Sequence, residues 1–255
     1  QVFWRSEGIS FPVRIRLVRH GRWVVGSAIE KDLVAAFFGL QQVFKPEVFW
    51  DVGANFGYFS WLLLGKNPDL RVILFEPEPD NANLIRKTLA RAKCKEVTLI
   101  EAAVSNTEGS FEFASDFVGG FTGTLETETQ TFLEAHYQVP KKVILVEAVS
   151  LDHMCATTKA PPDLIKMDTE GSHMKFLAGS MKLLAEKQPI VVLDYLPDDR
   201  GELFDLLKSL GYILVSPESD EPEAVVKSEH VLALPAAVKP TLPELFAAIR
   251  SFSGH

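Results

Sequence analysis

The sequence has 255 residues, of which 47% are apolar and 24% are charged, and its formal net charge is -8. This length and composition are typical of one α/β domain with modest additions, and they exclude fibrous and disordered proteins. The negative charge argues against a nucleic-acid partner, because binding to phosphates requires a basic surface. No apolar run reaches the roughly 18 residues of a membrane span, and two cysteines are too few for a disulfide framework, so we expect a cytoplasmic protein.

The first 45 residues are expected to form an N-terminal extension that precedes the main domain at residues 46–255. Alternation of apolar residues with arginines predicts a β-hairpin over residues 11–25, with its turn near His20-Gly21. Apolar residues at helical spacing then predict a helix from about Ser27 to Phe44, which Pro46 stops just beyond its end.

From residue 46 onward, short apolar runs alternate with amphipathic helices. Six runs predict strands, at Val48–Val52, Val72–Phe75, Val97–Ile100, Leu164–Met167, Ile190–Leu193 and Tyr212–Val215. Runs with apolar residues on both faces are typical of parallel strands that are covered by helices on each side. The sequence therefore predicts an α/β fold with a doubly wound, mostly parallel sheet.

An insertion at about residues 110–150 breaks this alternation. Two strand-like runs flank a Gly/Thr-rich stretch at residues 119–124. A connection of this length inside a compact domain is either a lid over the substrate or a plain surface hairpin, and the sequence leaves both open. Nearer the end, the acidic stretch Ser216–Glu223 predicts the turn of a closing antiparallel hairpin.

The first run of the sheet ends in the segment Asp51-Val-Gly53-Ala-Asn55-Phe-Gly57. A dinucleotide-binding loop needs the pattern G-x-G-x-x-G, and Asn55 and Tyr58 stand where its second and third glycines would fall. A pyrophosphate site is therefore disfavoured. What remains is a tight turn whose glycines let a ligand approach the backbone, preceded by a carboxylate that suits an ammonium group.

The second run ends at Glu76, nineteen residues beyond Gly57. A carboxylate at this position can accept hydrogen bonds from both hydroxyls of a ribose. The alternative is that Glu76 only caps the helix that follows it. If Glu76 binds a ribose, then Glu76 and the carboxylate of Asp51 together predict a site for a cationic nucleoside without phosphates. S-adenosylmethionine fits this description.

The sequence resembles the FkbM-like family of S-adenosylmethionine-dependent methyltransferases, which mostly methylate hydroxyl groups. The matching segments occur in the family's order between about residues 30 and 196. They are Asp51–Gly57, Phe75–Pro77, Ala102–Ser105, Gly123–Leu125, Ser150–Asp152 and Asp163–Gly171.

The resemblance implies a class I methyltransferase fold, a Rossmann-like and mostly parallel seven-stranded sheet with one reversed strand at its edge. It implies that S-adenosylmethionine is the cofactor and that a small-molecule hydroxyl, on a sugar or a natural product, is the acceptor. The cofactor-binding residues implied are Asp51, Gly53, Asn55, Gly57, Glu76, Ala102, Ala103 and Asp168. Glu76 would hold the ribose, and Ala102 and Ala103 would lie beside the adenine.

The sequence departs from the family at two positions, since His173 and Asp194 each stand where the family usually has Glu. We predict that Asp168, Glu170 and His173 act in catalysis. A neutral imidazole can accept the proton of the hydroxyl, so His173 is a candidate base, as is Glu170, and Asp168 would orient the base or contact the cofactor. No functional residues stand near His230 in the sequence.

Other interpretations of the same residues remain open. One is a Mg²⁺-dependent O-methyltransferase, in which Asp168, Glu170 and Asp194 would be oxygen ligands, although we expect no resident metal. Another is a binding module that keeps the nucleoside pocket and has lost methyl transfer. An N-methyltransferase acting on nucleobases is disfavoured, because no prolines follow Asp168.

Overall fold

The computed structural model describes residues 2–5, 8–17, 20, 30–92, 94–116, 123–124, 141–168, 173–194, 200–228 and 230–253. Its strands are β1 (Val2–Trp4), β2 (Val13–Ile15), β3 (Val48–Val52), β4 (Arg71–Phe75), β5 (Val97–Ile100), β6 (Ala102–Val104), β7 (Gly109–Asp116), β8 (Gly123–Thr124), β9 (Lys141–Val149), β10 (Leu164–Met167), β11 (Ile190–Asp194), β12 (Tyr212–Val215) and β13 (His230–Pro235). Its α-helices are α1 (Lys31–Phe44), α2 (Tyr58–Lys66), α3 (Pro79–Leu89), α4 (Leu151–Thr158), α5 (His173–Ala178), α6 (Met181–Lys187), α7 (Arg200–Ser209) and α8 (Leu242–Ser253). Two 3₁₀ helices, Pro222–Val226 and Ala236–Thr241, lie on either side of β13.

A seven-stranded sheet forms the centre of the molecule, in the spatial order β12-β13-β11-β10-β3-β4-β5. Its strands run parallel except β13, which is antiparallel to both of its neighbours. This is the class I methyltransferase topology, as expected. The reversed strand, however, lies one place inside the edge, because the connection after β12 folds back and inserts β13 between β11 and β12.

Helices cover both faces of this sheet, so the sheet is doubly wound. On one face, apolar side chains of α1, α2, α3 and α8 pack against Phe49, Val192 and Leu232 of the strands. On the other face, α4, α5, α6 and α7 pack against Trp50 and Ile165. Alternate residues of each strand point to opposite faces and are apolar on both, which explains why the strands could be located as continuous apolar runs.

One predicted helix is broken in two. The apolar stripe from Met174 to Leu184 predicts a single helix, but α5 ends at Ala178 and α6 begins at Met181. Between them, Gly179 packs so closely that a Cβ at this position would lie 2.2 Å from the carbonyl oxygen of Ser105. The break therefore coincides with a close tertiary contact, which the local pattern does not contain.

An N-terminal hairpin is present and is formed by β1 and β2. β2 pairs with β1, with Val2 opposite Ile15, whereas the second strand predicted after residue 20 lies outside the described residues. The backbone N–H of His20 donates to the carbonyl of Arg16 at 2.8 Å, which is a helical turn where the hairpin turn was expected. Gly21 and residues 22–29, including the predicted start of the helix, lie outside the described residues.

The insertion forms a second, smaller sheet of four strands in the order β6-β9-β7-β8. The two predicted strands of the insertion pair antiparallel as β7 and β9, from Gly109 opposite Ala148 to Asp116 opposite Lys141. β6 adds in parallel to β9 and so joins this sheet to the end of β5. Residues 119–122 of the Gly/Thr-rich stretch lie outside the described residues, and the choice between lid and hairpin stays a prediction.

Candidate functional site

The site lies at the carboxyl ends of β3, β4 and β10. From β3 the chain continues to β4 and β5 on one side of it, and it later adds β10 and β11 on the other side. Such a reversal of strand order opens a crevice at the carboxyl ends of the strands, where open α/β sheets bind their ligands. The N–H of Gly53 donates to the carbonyl of Phe75 at 3.0 Å, and that of Asp168 donates to Val52 at 3.2 Å, so the bend after β3 is tied to both neighbouring strands.

The bend between β3 and α2 requires its glycines. Gly53, Asn55 and Gly57 all have left-handed backbone conformations, with φ of 72°, 55° and 86°. A Cβ on Gly53 would lie 1.8 Å from the carbonyl oxygen of Asp168, and one on Gly57 would lie 2.6 Å from the ring of Trp61. The segment predicted from the sequence is therefore a tight turn that packs directly against Asp168 and Trp61, because a side chain fits at neither glycine.

Asp51 is buried at the end of β3, with 1% of its surface exposed. One carboxylate oxygen accepts a hydrogen bond from Ser60 Oγ at 2.6 Å. The other, Oδ1, is buried without a hydrogen bond from the described residues and lies 3.9 Å from Lys166 Nζ. Burial raises the pKa of Asp51, and the neighbouring ammonium group opposes that shift.

Lys166 is a residue of the candidate site that sequence reasoning missed. It stands opposite Asp51 in the register of β10 with β3, and its side chain is only 7% exposed. The ammonium group lies 3.1 Å from Asp168 Oδ2 and 3.5 Å from the carbonyl oxygen of Gly53. Burial acts to lower its pKa, but the carboxylates of Asp168 and Asp51 raise it above its ordinary value, so the cation persists between them. A lysine inside the apolar run Leu164–Met167 was the available signal, since a buried cation needs a partner.

Glu76 lies directly after β4 and is 4% exposed. Its carboxylate accepts hydrogen bonds from the backbone N–H of Asn55 at 2.7 Å and of Glu78 at 2.9 Å, and Asn81 Nδ2 lies 3.4 Å away. Burial raises the pKa of Glu76 to about 7, and the two backbone donors oppose that shift. The helix cap that was the alternative role belongs instead to Glu78, whose carboxylate accepts from the N–H of Asn81.

Ala102 and Ala103, which are predicted to lie beside the adenine, are at the same carboxyl edge of the central sheet as Glu76. Ala102 and Ala103 begin β6 and are 3% and 7% exposed. They follow β5 by one residue, and the N–H of Glu76 donates to the carbonyl of Ile100 at the end of β5 at 3.1 Å. Ala102 and Ala103 therefore lie one strand further along the edge from Glu76.

The three predicted catalytic residues, Asp168, Glu170 and His173, differ in how they stand relative to the candidate site. Asp168 is part of the site through Lys166 and Gly53. His173 is the first residue of α5 and is covered, with 1% of its surface exposed. Glu170 lies outside the described residues.

His230, for which no functional neighbours were expected, lies beside a carboxylate. Its Nε2 is 3.9 Å from Asp194 Oδ2. The sequence separates these two residues widely, and only the pairing of β11 with β13 brings them together.

Among the described residues, no group of three or more histidine, cysteine, aspartate or glutamate side chains is arranged to hold a metal ion. No helix in this part of the chain is long and apolar enough to cross a membrane.

The sheet topology and the glycine bend define a class I methyltransferase domain. A family model described as the methyltransferase FkbM domain matches residues 51–214, and the chain belongs to that family. Among curated protein sequences, none matches the chain.

Similar solved structures include the methyltransferase FkbM of Methylobacillus flagellatus KT, with 18% identity over 74% of this chain and 43% of that one and a TM-score of 0.46. This chain thus spans less than half the length of the Methylobacillus protein. The O-methyltransferase TomG of Streptomyces achromogenes, in complex with S-adenosylmethionine, is 15% identical over 92% of both chains, with a TM-score of 0.45. Human methyltransferase-like protein 13, in complex with S-adenosylhomocysteine, is 10% identical over 89% of this chain and 91% of that one, with a TM-score of 0.46.

Proposed function

We propose that this protein is an S-adenosylmethionine-dependent methyltransferase that methylates a hydroxyl group of a small molecule such as a sugar or another natural product. The observation that carries the proposal is the pairing of the tight glycine bend with the buried carboxylate of Glu76 at the point where the strand order reverses. Membership of the FkbM methyltransferase family supports the activity. The cofactor supplies a methyl group activated by its bond to a positively charged sulfur.

The residues present fit this cofactor. A carboxylate has about four acceptor sites, and Glu76 uses three of them within the chain, so it can accept a further bond from a ribose hydroxyl. Gly53 and Gly57 allow the left-handed backbone of the bend, beside which the methionine portion would lie. With both carboxylates ionised, Asp51, Lys166 and Asp168 carry one net negative charge beside the bend, which is complementary to a cofactor of net positive charge.

The acceptor hydroxyl must lose its proton during the reaction, and a positioned base contributes about 10²- to 10⁴-fold to the rate of such a step. We retain Asp168, Glu170 and His173 as candidates for this role or for orienting the base. Asp168 is the candidate that contacts both Lys166 and the bend. The insertion between β6 and β9 is a candidate lid, since it is attached beside the proposed adenine side of the site.

The test of the cofactor site is calorimetric titration of S-adenosylmethionine and S-adenosylhomocysteine into the protein and its Glu76→Ala variant. We expect the variant to bind both compounds at least about tenfold more weakly, because hydrogen bonds to a charged group contribute about 1.5–3 kcal/mol. Glu96→Ala is the control, since this exposed glutamate pairs with Arg71 at the opposite end of the sheet.

Circular dichroism of each variant checks that the fold is retained. Unchanged affinity in a folded Glu76→Ala protein contradicts the ribose contact. Absence of binding by the unmodified protein contradicts the proposed function as a whole.

A further inference from the structure

A row of polar residues extends beyond Asp168 along the carboxyl edge of the sheet. Lys166 in β10 stands opposite Val192 in β11. Side chains two residues apart on a strand point to the same face, so Asp168 and Asp194 follow Lys166 and Val192 on one face of the sheet. The N–H of Asp168 donates to Val52 at 3.2 Å, which extends the strand pairing to this residue.

His230 completes the row because β13 is reversed. In a parallel strand the first residue lies at the opposite edge from the site, but β13 begins at the carboxyl ends of its neighbours. His230 is the first residue of β13 and stands directly opposite Asp194, with 3.9 Å between Nε2 and the carboxylate. The reversal thus brings a residue from far along the chain to the edge that carries the cofactor residues.

These residues enclose a small hollow. Glu30, Lys166, Asp168, Asp194 and His230 all line it, and its volume of about 10 Å³ admits one water-sized group. The ammonium group of Lys166 connects the hollow to the glycine bend, since it contacts both Asp168 and the carbonyl of Gly53. The hollow is therefore adjacent to the proposed cofactor site, on the side away from Glu76 in the strand order.

His230 is better placed than His173 to contact a bound acceptor. The side chains of His230 and Asp194 are 15% and 45% exposed, so both can meet a ligand at the edge of the sheet. His173 is covered, with 1% of its surface exposed. An imidazole beside a carboxylate can accept the proton of a hydroxyl, because the positive charge that results then faces the carboxylate.

We propose that His230, with Asp194 beside it, forms the acceptor side of the active site and faces the transferable methyl group. This inference rests on the proposed function, since it takes the cofactor to bind at the glycine bend. It predicts an acceptor whose hydroxyl donates a hydrogen bond to the imidazole.

The experiment uses S-adenosylmethionine labelled with ¹³C in its methyl group, bound to the full chain. A ¹³C-edited nuclear Overhauser spectrum reports which protein protons lie close to that methyl group, and it needs no identified acceptor. We expect a cross-peak from the methyl group to a ring proton of His230, assigned by its loss in the His230→Asn variant. His153→Asn is the matched control, because His153 is half exposed and pairs with Glu108 outside the site.

The outcomes separate the two proposals. Two results obtained with bound cofactor would show that the inference about His230 is wrong. One is the absence of any imidazole cross-peak. The other is an imidazole cross-peak that disappears in His173→Asn but not in His230→Asn. If the labelled compound does not bind at all, the proposed function fails first. Retention of the bound methyl resonance in His230→Asn shows that this variant still folds and binds.

Discussion

At the scale of single residues, some groups of the candidate site could be recognised in the sequence and others could not. The positions of Asp51, Gly53 and Glu76 at one edge of the sheet could be predicted, because each residue stands at or just after the end of an apolar run and its place follows from local sequence. Their roles in binding the cofactor stay predictions. The role of Lys166 depends on which residue of β3 stands opposite it, and that register is a property of the folded sheet. The same reason hid the contact between His230 and Asp194.

The raised pKa of Glu76 predicts a pH dependence of cofactor binding. Burial raises this pKa from 4.5 to about 7, and the ionised form is the better acceptor for ribose hydroxyls. Below pH 7 binding must therefore displace a proton, so the affinity for S-adenosylhomocysteine should increase with pH, by up to about tenfold per unit below the pKa and little above it. Calorimetry between pH 5.5 and about 8.5 measures this.

The control for this prediction is Glu76→Gln, which keeps the shape of the side chain and cannot ionise. Its affinity should be lower than that of the unmodified protein at high pH and should not change across the same range. An equal pH dependence in both proteins would assign the effect to another group.

The raised pKa of Glu76 also affects stability. Because this pKa is higher in the folded than in the unfolded chain, ionisation of Glu76 makes the free energy of unfolding decrease as pH rises from 4.5 to about 7.

At the scale of elements, the six predicted strands of the central sheet were found because each is apolar on both faces and needs no knowledge of its partner. The small sheet was harder to predict. β7 and β9 were expected as strands, but the addition of β6 to β9 joins residues 102–104 to residues 147–149. The break between α5 and α6 likewise coincides with a contact with a distant backbone segment.

Substitution of two glycines tests the close packing of Gly179 at that break. Gly179→Ala should lower the free energy of unfolding by about 2 kcal/mol or more, because its Cβ would collide with the backbone of Ser105. Gly201→Ala, in α7, should change it by less than about 1 kcal/mol, since no atom lies within 4 Å of the added Cβ. Urea unfolding measures both values, and equal midpoints for the two variants would contradict this account.

At the scale of the whole molecule, the N-terminal extension shares its core with the main sheet. Val13 and Ile15 of β2 are fully buried in the same apolar cluster as Phe49 of β3. Hydrogen bonds also tie β2 to α3, from the N–H of Arg14 to Thr88 Oγ1 at 2.9 Å. The extension before residue 46 and the main domain after it therefore share one core, and we expect the two parts to unfold together.

Differential scanning calorimetry tests this expectation. The protein should show one unfolding transition, because residues on both sides of the boundary contribute to one continuous core. Val13→Ala should move that transition as a whole to lower temperature, through a loss of about 1–3 kcal/mol of stability. A separate low-temperature transition that alone responds to this substitution would mean that the extension unfolds by itself.

The position of β13 also affects the order in which the sheet can be completed during synthesis. A ribosome releases β11 and β12 before β13, so until residues 230–235 have emerged β11 is paired only with β10 and β12 has no partner in the central sheet. A nascent chain that stalls shortly before His230 therefore exposes unpaired strand edges, which are the surfaces through which β-proteins associate incorrectly. Chaperone dependence and misassembly should be greatest at that chain length.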